Sequence, residues 1–257
     1  NLIGNQILNI LIGMALLITL SHIDPKRLLF YAPYLYIVSL ILLLLVAFFG
    51  FQSHGAKRWI NLLFFNLQPS EIIKITIPLM LAWLYHRFQN DISYKTHMLA
   101  FFILAIPFMM ILKQPDLGTA ILIFISGLTI IILAGISLKI IMVSIFGVLL
   151  SSPYIWSILH LYQQNRILSL IDPTRDPLGT GYHSIQSMIA IGSGGFLGKG
   201  WSYGGQTQLN FLPETSTDFI FSVYGEEFGF LGVFGIFIIY FFIIYRCFDM
   251  AKKMQNT

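Results

Sequence analysis

QQNRILSLIDPTRDPLGTGYHSIQSMIAIGSGGFLGKGWSYGGQTQLNFLPETSTD, residues 163–218, is the one long polar interval in a chain otherwise made of apolar runs. Nine glycines and three prolines interrupt it, so a single continuous helix is not expected there. The interval carries a large share of the chain's few ionisable groups and ends where Asp218 meets an apolar run. We therefore expect any chemistry to lie in this interval.

The composition of the whole chain is that of an integral membrane protein. Of the 257 residues, 56% are apolar and 10% are charged, and the mean hydropathy is +0.78, whereas soluble domains carry about 25% charged residues. The net charge of +4 is modest and the basic residues form no stripe, which argues against a nucleic-acid partner. The single Cys247 excludes an internal disulfide framework and metal–thiolate clusters.

Seven apolar runs are long enough to cross about 30 Å of hydrocarbon. They cover residues 2–20, 31–49, 72–88, 97–112, 120–134, 140–161 and 219–245. The last run is overlong, so its helix either tilts or begins above the bilayer. The sequence thus predicts an all-α polytopic membrane protein with about seven transmembrane helices, forming one integral membrane domain over residues 1–257. The loop 163–218 lies between the sixth and seventh spans.

Basic residues in the short loops predict the orientation. Lys26, Arg87, Lys139 and Lys253 belong to loops or ends on one side of the predicted membrane, and short loops rich in Lys and Arg face the cytoplasm. The long loop should therefore be extracytoplasmic, and the carboxyl end of the chain cytoplasmic. The chain has no charged segment before its first apolar run, so we expect a fragment whose N-terminus lies upstream rather than a signal peptide.

A first polar stretch interrupts the outer end of the third span. A helix start explains Pro69 at the first helical position, a cap at Ser70, and Glu71 at the positive end of the helix dipole, with Trp59 as an interfacial residue. It does not explain Lys74, which at spacing i, i+3 can pair with Glu71 one turn inside the span. An ion pair at that depth is expensive and indicates a pathway or a site.

Lys113-Gln114-Pro115-Asp116-Leu117-Gly118 is a second such stretch. Turn chemistry accounts for Pro-Asp-x-Gly, but a turn needs neither Lys113 nor Gln114. The alternative is a cavity at the outer ends of the spans, lined by both stretches.

The third stretch ends the long loop at Asp218, which suits the cap of a helix. If the helix begins near Asp218, Ser222 and Gly225 continue its face one and two turns further on. Glu226 and Glu227 then lie inside the span, where they need partners or a water-filled cleft.

Two other features of the loop leave alternatives open. His183 is either a hydrogen-bonding loop residue or an acid–base group. The glycine-rich segment 192–200 lacks the hydroxyl residue after Lys199 and the strand–helix context of a nucleotide-binding loop. Its backbone amides and Lys199 could still hold the diphosphate of a membrane lipid.

Short motifs in a fixed order carry a family resemblance. They are Gly55-Ala-Lys-Arg-Trp59, Gln68-Pro-Ser-Glu71, Gln114-Pro-Asp-Leu-Gly-Thr-Ala120, Asp176-Pro-Leu-Gly-Thr-Gly-Tyr-His183, Gln186-Ser187, Ala190-Ile-Gly-Ser-Gly-Gly195, Gly198-Lys-Gly-Trp201, Phe211-Leu-Pro-Glu214, Thr217-Asp-Phe-Ile-Phe221 and Gly225-Glu-Glu227. Together they resemble the SEDS family (shape, elongation, division and sporulation), and the glycine-rich phrases are more similar to its RodA branch than to its FtsW branch. The resemblance covers nearly the whole chain. Family members have about ten spans, so this chain resembles a fragment lacking the first and the last two.

The resemblance implies a peptidoglycan glycosyltransferase that polymerises lipid II outside the bacterial cytoplasmic (inner) membrane during cell elongation and rod-shape maintenance. The family's catalytic aspartate corresponds to Asp218, and its partner is a class B penicillin-binding protein, a transpeptidase. Membrane lipids and the elongation machinery are further expected partners. Two departures put auxiliary proton transfer or metal binding in doubt: Ser216 stands where the family commonly has His, and Asn210 where it often has an acid.

The expected chemistry is attack of a sugar hydroxyl on an anomeric carbon that bears a lipid diphosphate. Asp218 is the expected general base; alternatively it holds a divalent cation, Mg²⁺ or Mn²⁺, on the diphosphate. No tightly bound cofactor is expected. The residues expected to bind substrate are Arg58, Trp59, Gln68, Glu71, Lys74, Lys113, Gln114, Asp116, His183, Gln186, Lys199 and Glu214.

Two other classes of function stay open on the sequence alone. A transporter that flips lipid II would use the intramembrane residues Glu71, Lys74, Glu226 and Glu227 as a polar path. A non-catalytic scaffold for a transpeptidase would need neither Asp218 nor Lys74. We expect that this seven-span fragment does not polymerise glycan by itself.

Overall fold

The computed structural model describes residues 2–53, 56–61, 66–89, 92–114, 116–159, 161–177, 179, 181–209, 211 and 218–254. The helices are α1 (Leu2–Ser21), α2 (Pro25–Phe49), α3 (Pro69–Arg87), α4 (Tyr94–Lys113), α5 (Leu117–Leu133), α6 (Leu138–Ile158), α7 (Leu161–Ile171), α8 (Tyr182–Ser193), α9 (Gly205–Gln208) and α10 (Ile220–Met254), with a 3₁₀ turn at Pro173–Arg175. Helices α1 to α6 and α10 lie at the seven predicted spans, which confirms the polytopic all-α fold. Among the described residues, Pro25–Phe49, Tyr94–Lys113 and Ile220–Lys253 are long and apolar enough to cross a membrane by length and composition.

Three short strands between α2 and α3 are the one element type that the sequence did not predict. β1 (Phe51–Ser53), β2 (Ala56–Asn61) and β3 (Asn66–Leu67) form an antiparallel sheet in the order β1-β2-β3. Phe51 pairs with Trp59, and Ile60 pairs with Leu67. Aromatic and β-branched residues at these positions favour extended backbone, so this loop presents Arg58 from a paired strand.

The chain packs as two compact units, Asn1–Leu150 and Ser151–Thr257. In the first unit, α2 to α5 enclose an apolar core whose fully buried residues include Leu43, Ile77 and Leu104. Pro107 in α4 has no N–H for the carbonyl of Ile103, and the hydroxyl of Tyr36 donates to that carbonyl at 2.7 Å. This contact meets the requirement that backbone groups inside a bilayer find partners within the protein.

In the second unit, the loop 163–218 contains α7, the 3₁₀ turn, α8 and α9. The prediction that this interval is not one continuous helix is thus confirmed. α8 packs along the first turns of α10, where the hydroxyls of Ser187 and Ser222 share a hydrogen bond of 2.6 Å. Ser222 is buried and Gly225 lies against Ile191 of α8, so these two positions of the predicted face meet α8.

Helix α10 is broken at Gly229, where φ is +64° and ψ is −163°. That combination is essentially restricted to glycine. Residues 230–254 beyond the break form about 37 Å of helix at about 1.5 Å per residue, which is enough to cross about 30 Å of hydrocarbon. The break favours the second explanation of the overlong span, in which the helix begins above the bilayer.

Candidate functional site

Asp218 lies two residues before the first residue of α10 and is exposed. Within the described part of the chain it has no hydrogen bond or ion pair, so the capping role considered from the sequence has no contact to support it. The ring of His183, on the first turn of α8, lies against the ring of Phe219 with centroids 6.1 Å apart. The start of α8 and the start of α10 therefore bring His183 to the residue that follows Asp218.

A pairing of backbones joins the glycine-rich loop to the break in α10. In an unbroken helix, the N–H groups of Phe230 and Leu231 would donate to the carbonyls of Glu226 and Glu227. Here they donate instead to the carbonyls of Gly195 and Phe196, at 2.9 and 3.2 Å.

The carbonyls released by the break also have new partners. The N–H of Lys199 donates to the carbonyl of Glu226 at 3.0 Å, and the N–H of Gly200 donates to the carbonyl of Glu227 at 2.9 Å. Residues 195–200 thus replace two hydrogen bonds of the helix with four bonds between segments, and we call this arrangement the loop–helix junction.

The carboxylate of Glu226 lies beside this junction and is fully buried. The ammonium group of Lys199 donates to its Oε1 at 2.7 Å and to the hydroxyl of Ser193 at 2.7 Å. The backbone N–H of Gln206 donates to the same Oε1 at 3.2 Å. A buried charge requires such partners, and the sequence expectation that Glu226 needs one is confirmed.

Glu227 also has a partner, because its Oε1 accepts from the backbone N–H of Ser202 at 3.0 Å. The hypothesis that segment 192–200 cradles a diphosphate meets a physical difficulty. The amides of Gly198, Lys199 and Gly200 already donate to protein carbonyls, and an occupied N–H cannot also bind phosphate oxygen.

In the first unit, the predicted residues Arg58, Gln114 and Asp116 lie together. Nε of Arg58 is 3.7 Å from Oδ2 of Asp116 and donates to the carbonyl of Gln114 at 3.5 Å. Asp116 also caps α5, because its Oδ1 accepts from the N–H of Thr119 at 3.2 Å, and the side-chain amide of Gln114 donates to the carbonyl of Leu43 at 3.3 Å. Asp116 therefore combines a helix cap with an ion pair to the strand that carries Arg58.

The start of α3 corrects one detail of the sequence analysis. Pro69 occupies the first helical position as predicted, but the cap residue is Gln68 and makes no side-chain capping bond. Ser70 is buried at the second position, so the cap predicted at Ser70 is wrong. Glu71 and Lys74 form the predicted pair, with Nζ 2.7 Å from Oε2.

The remaining predicted residues lie separately or outside the described part. Lys113 is exposed and Trp59 is half-buried, as is Gln186 on α8. Glu214 lies outside the described residues. A cleft of about 300 Å³ lined by Tyr94, His97, Met98, Phe101, Ile136 and Ile140 contains none of the predicted residues, so the cavity shared by the first two polar stretches stays a prediction.

Asp172, which precedes Pro173, caps the 3₁₀ turn. Its Oδ1 accepts from the N–H of Thr174 at 3.1 Å. The hydroxyl of Thr174, together with the nearby Arg175 guanidinium, lowers the pKa of this carboxyl. Asp172 and Arg175 belong to an exposed turn, and we assign them no chemistry.

Among the described residues, no group of three or more His, Cys, Asp or Glu side chains could hold a metal ion. Within that part of the chain, Asp218 is the side chain that would bind a cation held on the diphosphate.

The chain is similar to known proteins in family, sequence and structure. The family model for FtsW, RodA and SpoVE, described as cell cycle protein, matches residues 1–257. The peptidoglycan glycosyltransferase MrdB of Escherichia coli K12 is 44% identical over 249 residues, which is 96% of this chain and 67% of the relative. MrdB of Helicobacter pylori is 41% identical over 213 residues, 80% of this chain and 54% of the relative.

Two solved structures share the fold. A chain from a study of the structural coordination of polymerization and crosslinking by a peptidoglycan synthase complex has a TM-score of 0.75 at 32% identity, covering 95% of this chain and 68% of that one. The rod shape determining protein RodA of Thermus thermophilus has a TM-score of 0.60 at 26% identity, covering 93% of this chain and 62% of that one.

Proposed function

Because this chain belongs to the FtsW, RodA and SpoVE family of cell cycle proteins, the SEDS family, we infer that it is a peptidoglycan glycosyltransferase of cell elongation. The identity of 44% to a curated glycosyltransferase over nearly the whole chain supports the enzyme class. The substrate is lipid II, whose disaccharide units the enzyme joins into a glycan strand.

The exposure of Asp218 is the observation that carries the proposed mechanism. A sugar hydroxyl attacks the anomeric carbon of the growing chain, the bond to the lipid diphosphate breaks, and the hydroxyl proton passes to the Asp218 carboxylate. A general base must be within reach of that proton and must not be engaged elsewhere. Asp218 meets the second condition within the described residues, because no donor there occupies its oxygens.

The alternative role of Asp218 is to hold a divalent cation on the diphosphate. Mg²⁺ in phosphate sites is often bound by one or two carboxylates together with the substrate's own oxygens, so a single aspartate fits that chemistry. When bound, the cation would stabilise the negative charge of the departing diphosphate. The contacts of Arg58, Lys74 and Lys113 with the diphosphate stay predictions.

Partner and location follow from the same premise. The chain is a multi-pass membrane protein, and we place it in the bacterial inner membrane with its long loop extracytoplasmic. The structural neighbour in a peptidoglycan synthase complex supports a transpeptidase, a class B penicillin-binding protein, as its partner.

The transporter alternative needs polar groups through the full depth of the bilayer. The part of α10 beyond the break, residues 230–245, contains no Asp, Glu, Lys or Arg, and its side chains are largely exposed and apolar. This helix therefore offers lipid contact rather than a polar path, which favours the enzyme.

The first test uses the full-length protein with its transpeptidase partner in detergent, supplied with labelled lipid II and Mg²⁺. Wild type should give long glycan strands on a gel, and Asp218→Asn should give none, because the amide accepts no proton. Equal polymer from both proteins would refute the proposal, and a vesicle assay of lipid II flipping would then be the next measurement. Titrating Mg²⁺ and Mn²⁺ with wild type separates the two roles, since a cation-independent rate would exclude the cation role.

A further inference from the structure

We propose that Lys199 and Glu226 are positioning residues for Asp218: their ion pair holds the loop–helix junction closed and thereby fixes the short helix, residues 220–228, that follows Asp218. The proposal rests on the proposed function, because it assigns Asp218 the catalytic role. It concerns two residues that the mechanism above does not use.

The backbone part of the junction consists of four hydrogen bonds to a glycine-rich segment. At the break, two bonds of the α10 ladder are replaced, and bonds to segment 195–200 hold both halves of the helix across Gly229. That segment is rich in glycine, which has the largest conformational freedom of any residue in an open chain. A side-chain contact between this segment and the helix therefore restricts the segment's conformational freedom.

The Lys199–Glu226 pair has the geometry to connect the glycine-rich segment to α10. It joins the same two residues whose backbones are already hydrogen-bonded. Residues 199 and 226 are therefore connected both by their side chains and by their main chains. The side chain of Glu226 is fully buried, while that of Lys199 is 36% exposed. Removing Lys199 would leave Glu226 as a buried charge with only neutral donors, which is strongly destabilising.

The short helix transmits this restraint to Asp218. Its far end is the junction at Glu226, its first turn is bonded to α8 through Ser222, and its near end begins just after Asp218. The segment is too short to bend much, so a junction that opens must tilt the end that bears Asp218. A displacement of about 1 Å in a catalytic group can cost about 100-fold in rate.

The competing assignment is that Lys199 contacts the substrate diphosphate, as the sequence analysis predicted. The two assignments differ in kinetics. A positioning pair changes kcat with little effect on KM, and Glu226→Gln should act like Lys199→Met because either change breaks the same pair. A diphosphate contact would act mainly through Lys199, and removing Glu226 would free that ammonium for the substrate.

The test measures glycan polymerisation by the full-length protein with its partner, together with hydrogen exchange of the junction amides. Lys199→Met and Glu226→Gln should each lower kcat about 100-fold with KM nearly unchanged, and exchange in residues 195–200 should rise. Lys199→Arg should restore the pair and most of the rate. Lys253→Met is the matched control, because Lys253 pairs with Asp249 at 2.9 Å on the same helix but at an exposed position.

Three outcomes would overturn the proposal: an open junction with an unchanged kcat, a raised KM for Lys199→Met alone, or an equal loss in Lys253→Met. If wild type and Asp218→Asn made equal polymer, the proposed function would fail. The exchange measurement would still show whether the ion pair closes the junction.

A disulfide provides a second test in case the single variants do not fold. A direct backbone hydrogen bond already joins residues 199 and 226, and a disulfide needs Cα atoms about 4.4–6.8 Å apart. In a background free of other cysteines, including Cys247→Ser, the pair Lys199→Cys and Glu226→Cys should polymerise at nearly the wild-type rate when oxidised. The reduced form should be about 100-fold slower, and equal rates would refute the proposal.

Discussion

Glu71 and Lys74 allow stability and function to be separated at the level of single residues. Their pair is close, at 2.7 Å, but the side chains are 56% and 35% exposed. An exposed ion pair contributes about 0.2–1 kcal/mol. Glu71→Gln and Lys74→Met should therefore lower Tm by no more than about 4 °C, as measured by thermal unfolding in detergent.

The same two variants should lose polymerisation activity if the pair serves the substrate, and Lys74→Met should lose more because it removes the positive charge. Lys95→Met, an exposed lysine on α4, is the control and should retain full activity. Normal activity in both variants would show that the pair is only the start of a helix with a surface contact.

At the scale of the element, Gly229 determines the shape of α10. A Cβ added there would overlap the backbone nitrogen of Gly198, and the backbone conformation is one that other residues avoid at a cost of about 1–3 kcal/mol. Gly229→Ala should destabilise the protein by at least that amount and increase amide exchange at residues 195–200. Gly235→Ala is the matched control, because a Cβ there has open space on the same helix and should stabilise by about 0.5–1 kcal/mol.

Helix positions were predictable from the sequence, because a run such as residues 98–112 is apolar throughout and hydropathy depends only on local composition. The break at Gly229 was not, since it depends on hydrogen bonds to residues about thirty positions earlier in the chain. Its signal was present as glycines in both partners, at Gly198 and Gly229. The β-sheet was missed for a different reason: its strands are only two to six residues long.

Contacts between the polar residues were predictable only where both residues lie on one helix. Local spacing was enough to predict the Glu71–Lys74 pair, because both residues lie on one helix. The contact of Arg58 with Asp116 joins a strand to a helix start, and Lys199 reaches Glu226 from a separate loop. The partners of these residues depend on packing between separate elements, which local spacing does not show.

At the scale of the whole molecule, the sidedness of the membrane decides whether Asp218 can reach an extracytoplasmic substrate. The orientation rests on Lys and Arg in short loops, and the structure offers two well-exposed probe positions, Tyr203 in the long loop and Lys253 near the end of α10. In full-length protein without other cysteines, Tyr203→Cys should react with an impermeant maleimide on intact spheroplasts. Lys253→Cys should react only after permeabilisation.

Reversed labelling would place the long loop in the cytoplasm, together with Asp218 at its end. Polymerisation on the outer leaflet would then be ruled out for this carboxylate, however it titrates or binds cations. Labelling of both positions on intact cells would instead indicate leaky membranes, which a cytoplasmic marker protein carrying one cysteine detects in the same sample. The expected pattern, with Tyr203→Cys alone reactive, places the loop–helix junction and Asp218 on the same outer side, where the growing glycan strand is released.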